Sequence, residues 1–352
     1  MESSVITEPS GAALADRLGR PLHDLRISVT DRCNFRCTYC MPKEIFRPDF
    51  ACLPRADVLS FEEITRVAGV FVELGVEKLR VTGGEPLVRR DLPVLVAMLA
   101  GLRRPDGRPL DLTLTTNGSA LRKLARPLAD AGLGRVTISL DSLDDAVFRA
   151  MNGVDYPVEK VLDGVAAAQE AELGPVKINM VVRRGINEAS ILPMARWARD
   201  AGVTLRFIEF MDVGHTNGWR MDEVVGADEL VAIVDAEMPL IAEPPRYRGE
   251  VATRYAYADG RGEVGLIASV TKPFCGDCTR ARISAEGRLY TCLFTGDGHD
   301  LRAILRDAEA DDVTLRDSIA AVWRVRDDRY SEERTEATSS SLPRLEMYAM
   351  GG

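Results

Sequence analysis

Between residues 25 and 211 the chain alternates short β-rich runs with longer stretches of helical apolar spacing, and this alternation restricts the fold more than any other feature. Strands joined through helical crossovers pair in parallel, with the helices packed on a face of the sheet. The predicted strands are 25–30, 78–82, 111–115, 135–140, 176–182 and 204–210. Between the first two, Ser60 and Glu63 have the spacing of a capping box. Phe61, Ile64, Val67, Ala68 and Phe71 then trace one helical face, and Gly75 ends the helix. Asn187 is expected to cap another helix whose Ile191, Met194, Ala195 and Ala198 face inward until Gly202 stops it. Six such units predict an α/β fold of the incomplete (β/α)6 TIM-type barrel kind, in which chemistry gathers at the carboxyl ends of the strands.

The unusual residues of the chain fall at those ends. Cys33, Cys37 and Cys40 follow the first strand in a C-x3-C-x2-C spacing, and Gly83-Gly84-Glu85-Pro86 follows the second. Thr115, Thr116, Asn117 and Gly118 end the third, Ser139 and Asp141 the fourth, Glu209 and Met211 the sixth. Beyond Asp212 the alternation fades into an irregular region with a second group, Cys275, Cys278 and Cys292. This region is read as a C-terminal domain across the open side of the barrel. Each group offers three thiolates, whereas a structural zinc site closes its shell with four protein ligands; three leave a position open for chemistry. His299 stands near enough in sequence to complete a zinc site in the second group, so that reading remains available.

Seven cysteines in 352 residues, six of them in two tight groups, are not spread as a disulfide framework would be, and they point to metal ligation in a reducing cytoplasm. Cys52 belongs to neither group. A net charge of -9 disfavours broad contact with nucleic acid or an anionic membrane, although arginines gathered in a cleft can still hold a small anion. Arg26 and Arg80 lie on the first two predicted strands, and Arg280 and Arg282 alternate after Cys278. A guanidinium offers paired donors in a rigid fork suited to phosphate. No stretch reaches the ~18 apolar residues of a membrane span. The expected organisation is a flexible arm over 1–20, the barrel over 21–212, the C-terminal domain over 213–326, and a charged linker with a Gly351-Gly352 tail over 327–352.

The segment LRISVTDRCNFRCTYCMP resembles the cluster loop of the radical S-adenosylmethionine (SAM) superfamily. Together with KLRVTGGEPLVRRD, LTTNG, ISLDSLD, RFIEFMDVGHTNGW and FCGDCTRARIS, it resembles the GTP 3′,8-cyclase family of molybdenum cofactor biosynthesis over nearly the whole chain from about residue 20. The resemblance implies two [4Fe-4S] clusters, one on Cys33, Cys37 and Cys40 and one on Cys275, Cys278 and Cys292. It implies SAM contacts from Tyr39, Gly84, Glu85, Ser139 and Met211. It implies GTP contacts from Arg26, Arg80, Thr115, Lys177, Arg280 and Arg282. A 5′-deoxyadenosyl radical would remove the ribose C3′ hydrogen of GTP, and the carbon radical would attack guanine C8. The double-glycine tail would reach into the active site.

The same resemblance suggests a homodimer, a reduced flavodoxin- or ferredoxin-type electron donor, and hand-off of the product to a cyclic pyranopterin monophosphate synthase. Lys177 is the awkward residue, since it begins its strand, away from the expected mouth. Two rivals stay open at this point. One is a radical SAM enzyme that modifies a peptide, the other a non-catalytic zinc-binding scaffold.

Overall fold

The computed structural model describes residues 14–47, 49–294, 296, 298–334 and 345–351. Six strands pair in parallel in chain order: β1 (Asp24–Ser28), β2 (Lys78–Thr82), β3 (Asp111–Thr116), β4 (Arg135–Ser139), β5 (Lys177–Val182) and β6 (Thr204–Glu209). The crossovers carry α1 (Phe61–Glu73), α2 (Leu92–Ala100), α3 (Leu121–Asp130), α4 (Asp145–Asn152), α5 (Val158–Glu170) and α6 (Ile191–Asp200). This is the partial barrel that the alternation predicts.

Ser60 and Glu63 do form the reciprocal capping box of α1. Asn187 precedes a 3-10 turn at Glu188–Ser190 and makes no side-chain cap to it or to α6, a correction with a plain cause. Its amide donates to the carbonyls of Asp141 and Val181, so it laces the β4 and β5 ends together while α6 begins three residues later than a cap at 187 would allow.

The C-terminal half joins the same sheet at both rims. β9 (Glu263–Ile267) lies parallel beside β6, and β10 (Arg280–Ile283) lies parallel beside β1. Antiparallel partners then finish each edge: β8 (Thr253–Tyr257) and β7 (Leu240–Glu243) on one side, β11 (Arg288–Tyr290) and β12 (His299–Asp300) on the other. The open arc of β1 to β6 would otherwise leave two rows of unpaired main-chain groups. No break in the sheet therefore falls at residue 212, since β6 and β9 share main-chain hydrogen bonds.

The strands of the arc divide their side chains by parity. Ile178, Met180 and Val182 of β5 and Leu205 and Phe207 of β6 join one apolar core with Ile64, Val67 and Phe71 of α1 and Leu95 and Leu99 of α2. Each such burial contributes about 1.5–3 kcal/mol, so this outer layer holds the fold. Lys177, Asn179, Thr204 and Arg206 take the opposite face and line the interior.

Residues 14–20 do not behave as the end of a flexible arm. Arg20 is completely enclosed, Asp16 is buried, and Ala15 bridges to Pro21. Residues 1–13, most of the expected linker (335–344) and Gly352 lie outside the described residues. No helix among the described residues is long and apolar enough to cross a membrane.

Candidate active site

The interior of the arc encloses a cavity of about 510 Å³. Both cysteine groups border it, as do Tyr39, Gly84, Glu85, Ser139, Met211, Arg26, Arg80, Thr115, Lys177, Arg280 and Arg282. Residues hundreds of positions apart meet because β10 sits beside β1 and brings the second cysteine group round to the first. Lys177 reaches the cavity because the enclosure extends down the barrel below the strand ends, past Asp24, Lys78 and Arg135.

One wall is the cysteine loop after β1. The turn after β2 docks against it through Gly84 N to Thr30 O at 2.8 Å and Glu85 N to Arg32 O at 2.8 Å. A Cβ at Gly84 would stand 2.5 Å from Arg32 O, so only glycine allows the two loops to close on each other. Glu85 borders the cavity, and its carboxylate is held by neighbouring donors. It accepts from Leu87 N, from Thr116 Oγ1 at 2.6 Å and from Asn117 N at 2.6 Å. These bonds staple the ends of β2 and β3 together and fix Glu85 at the edge of the cavity where its SAM contact is expected. Burial pushes its pKa up to about 7.

The Tyr39 hydroxyl donates to Asp141 Oδ2 at 2.8 Å, and Val181 N donates to Oδ1 at 2.9 Å. That pairing orients the ring beside Cys37 and Cys40. The C-terminal tail also reaches this wall. Ala349 O accepts from Ser28 Oγ, Tyr348 packs edge-on against Phe46 and Phe50, and a Cβ on Gly351 would run into Thr82 Oγ1 and Gly83.

Below those loops, on the strands themselves, the lining is cationic. The parallel register places Arg26 opposite Arg282 on one side and Arg80 on the other, so three guanidinium groups form a row across β10, β1 and β2. Arg80 donates to the hydroxyls of Thr115 and Thr137, and Arg206 shares Thr137. None of Arg26, Arg80, Arg206 or Arg282 has a carboxylate within ion-pair distance among the described residues, and Nε of Arg206, Arg280 and Arg282 is buried without a hydrogen-bond partner. Burial, then the neighbouring arginines 282, 280 and 80, weakens the hold of Arg26 on its proton. Because a guanidinium stays charged, the row favours an anion in the cavity beside it. Burial first, then Arg206, brings Lys177 down to about 7.

Thiol environments differ between the two groups. Burial and the carboxylate of Glu85 push Cys33 up to about 12, and burial with the neighbouring thiols holds Cys37 and Cys40 well above the usual thiol range. Burial also opposes ionisation of Cys278, but Arg280, Arg326 and Arg282 outweigh it and bring the thiol down to about 6. Among the described residues no three His, Cys, Asp or Glu side chains converge as ligands of a single metal ion would. His299 is exposed on β12 and does not border the cavity.

Sequence reasoning missed several cavity residues: Arg206, Asn179, Arg135, Tyr247 and Asp328. The parity of β5 and β6 was a usable signal, since Asn179 and Arg206 alternate with apolar neighbours and so must leave the core.

A parallel arc with a three-cysteine loop after its first strand and a glycine turn docked on that loop defines the radical SAM class. Residues 27–198 match the Radical SAM superfamily, and residues 203–332 match Molybdenum Cofactor Synthesis C. The GTP 3′,8-cyclase of Acidothermus cellulolyticus is 57% identical over 324 residues, covering 91% of this chain and 88% of that protein. That of Staphylococcus saprophyticus is 46% identical over 342 residues, covering 96% and 99%. Crystal structures of SuiB from Streptococcus suis, one of them bound to S-adenosylmethionine, align over 83% of this chain and 67–68% of theirs with TM-scores of 0.58 and 0.59 at 15% and 14% identity, a likeness of fold alone. The chain belongs to the GTP 3′,8-cyclase family.

Proposed function

We propose that the chain converts GTP to (8S)-3′,8-cyclo-7,8-dihydroguanosine 5′-triphosphate, the first step of molybdenum cofactor biosynthesis. The observation that carries this reading is the row of Arg26, Arg80 and Arg282, the last two buried and the first partly so, a cavity wall whose charge calls for a compact polyanion. A triphosphate offers that charge, and a neutral peptide does not. Arg26, Arg80 and Lys177 hold the phosphates, Thr115 supports Arg80, and Arg280 and Arg282 hold the nucleotide beside the second cysteine group.

Cys33, Cys37 and Cys40 supply three thiolates for one [4Fe-4S] cluster, and Cys275, Cys278 and Cys292 supply three for another. Bound on the first trio, the cluster with SAM supplies a 5′-deoxyadenosyl radical, chemistry that no amino-acid side chain offers. Tyr39, Gly84, Ser139 and Met211 form the SAM pocket, with the polarizable thioether of Met211 suited to pack on adenine. The chain's remaining task is to keep ribose C3′ and guanine C8 in one enclosure and to exclude water and stray hydrogen donors. The family resemblance supports a cytoplasmic homodimer that draws electrons from a reduced flavodoxin- or ferredoxin-type donor and passes its product to a cyclic pyranopterin monophosphate synthase.

Anaerobically reconstituted protein, reduced and given SAM and GTP, is expected to form a cyclised nucleotide in step with 5′-deoxyadenosine. A preparation holding about eight irons per chain that cleaves SAM but leaves GTP unchanged would overturn the reading.

A further inference from the structure

The first described residues of the chain meet a segment more than three hundred positions away, directly behind the second cysteine group. Arg20 is completely enclosed and Arg326 nearly so. Arg20 Nη1 donates to the main-chain carbonyl of Cys275 at 2.8 Å and to that of Asp328 at 2.8 Å. Arg326 Nη1 donates to the main-chain carbonyl of Cys278 at 2.6 Å. Asp16 joins the two arginines, taking Arg20 Nε at 2.5 Å and Arg326 Nη1 at 3.4 Å, while Asp328 pairs with Arg326 at 3.0 Å. Trp323 closes the back, its indole donating to Arg20 O at 3.1 Å and its ring lying under the Arg326 guanidinium.

Two cations and two carboxylates make the quartet neutral as a set, although its members act singly on the nearest thiols, Arg326 lowering Cys278 and Asp328 raising Cys292. What the quartet adds beyond those local charges is geometry. A buried ionic network is weak support for overall stability, and its better-attested use is to specify one arrangement. Here the arrangement specified is the Cys275–Cys278 segment, where the Cys275 carbonyl takes the turn's own bond from Cys278 N at 3.1 Å and the arginines add the ties from both cysteine carbonyls to the rest of the fold. The loop itself is a single turn of 3-10 helix at 275–277, too short to hold two cysteines in place through its own hydrogen bonds.

We infer that Arg20 and Arg326, bridged by Asp16, are positioning residues that clamp the carbonyls of Cys275 and Cys278 and so hold the second cysteine trio in the geometry that receives its cluster. This rests on the reading that the second trio ligates iron. The segment over 14–20 is thereby part of the site. Lysine in place of either arginine keeps the charge but loses the fork that spans a carboxylate and a carbonyl at once.

The test compares wild type with Arg20→Lys and Arg326→Lys as full-length, anaerobically reconstituted proteins, by iron and sulfide count, electron paramagnetic resonance with and without GTP, and SAM cleavage. The expected result is a folded variant that keeps SAM cleavage and loses about half of roughly eight irons, or keeps the iron but loses the GTP-dependent change in its spectrum. Variants that retain all iron and the unchanged spectrum overturn the inference, as does equal loss of both clusters with a lowered melting temperature, which would make the quartet a general stabiliser. A wild type with only about four irons would instead sink the two-cluster reading on which the inference stands.

Discussion

The two cysteine trios border one cavity and share a count of three, yet Cys278 of the second stands in surroundings unlike those of the first. Around Cys33, Cys37 and Cys40 the nearby groups are burial itself, the other thiols, and the carboxylates of Glu85, Asp141 and Glu346, all of which keep the thiols protonated. Around Cys278 stand Arg280, Arg282 and Arg326, which draw the thiol down to about 6 against the pull of burial. Cys292, beside Asp328 and buried, goes up to about 11. The difference separates two tasks. On the proposed reading, the positive charge that makes thiolates of the first trio would come mainly from the metal centre it holds. Beside Cys278 the wall is already cationic, which suits the proposed placing of an anionic nucleotide there.

The sharpest way to break that comparison is to remove one ligand from each side. Cys37→Ala is expected to reduce 5′-deoxyadenosine formation to background, whereas Cys278→Ala keeps SAM cleavage and loses the cyclised nucleotide. Chromatography of both products checks this, and identical losses would mean that the trios act as one site. Gly84→Ala comes next, because its Cβ would meet Arg32 O at 2.5 Å. We expect about 1–3 kcal/mol of destabilisation read in thermal melts, with iron lost from the first trio before the second.

Arg282→Ala is expected to weaken GTP binding roughly ten- to hundredfold, the worth of about 1.5–3 kcal/mol for a hydrogen bond to a charged group, with SAM binding nearly unchanged in calorimetry. The smallest effect is in the metal-free protein. Iodoacetamide near pH 7 is expected to label Cys278 ahead of Cys33, and lowering the pH from 7.5 to 5 should slow Cys278 about tenfold, since protonation of a thiol with a pKa near 6 removes the reactive thiolate. Equal labelling rates by mass spectrometry would erase the electrostatic contrast.

The first trio and the strands around it were plain in one dimension. Cys33, Cys37 and Cys40 lie within one loop, and Gly84 lies one βα unit later, so periodicity and spacing reach them. The second half was harder to read. β10 and β9 look like fragments of an irregular domain until the arc of β1 to β6 offers them an edge, and edge pairing is a non-local choice that no window of sequence contains. Asn187 failed as a cap for the same reason, since its partners come from β4 and β5.

Local order along the chain is enough to set which residues turn outward to the helices, which thiols can share one loop, and which glycines permit a tight turn, because these depend on dihedral preference and on the two-residue period of a strand. Three features needed the assembled sheet: the arginine row, whose members come from β10, β1 and β2; the staple by Glu85; and the clamp of Arg20 and Arg326 on the cysteine carbonyls. Charge repulsion, hydrogen-bond geometry and desolvation act over a few ångströms through space. Only folding decides which groups come that close.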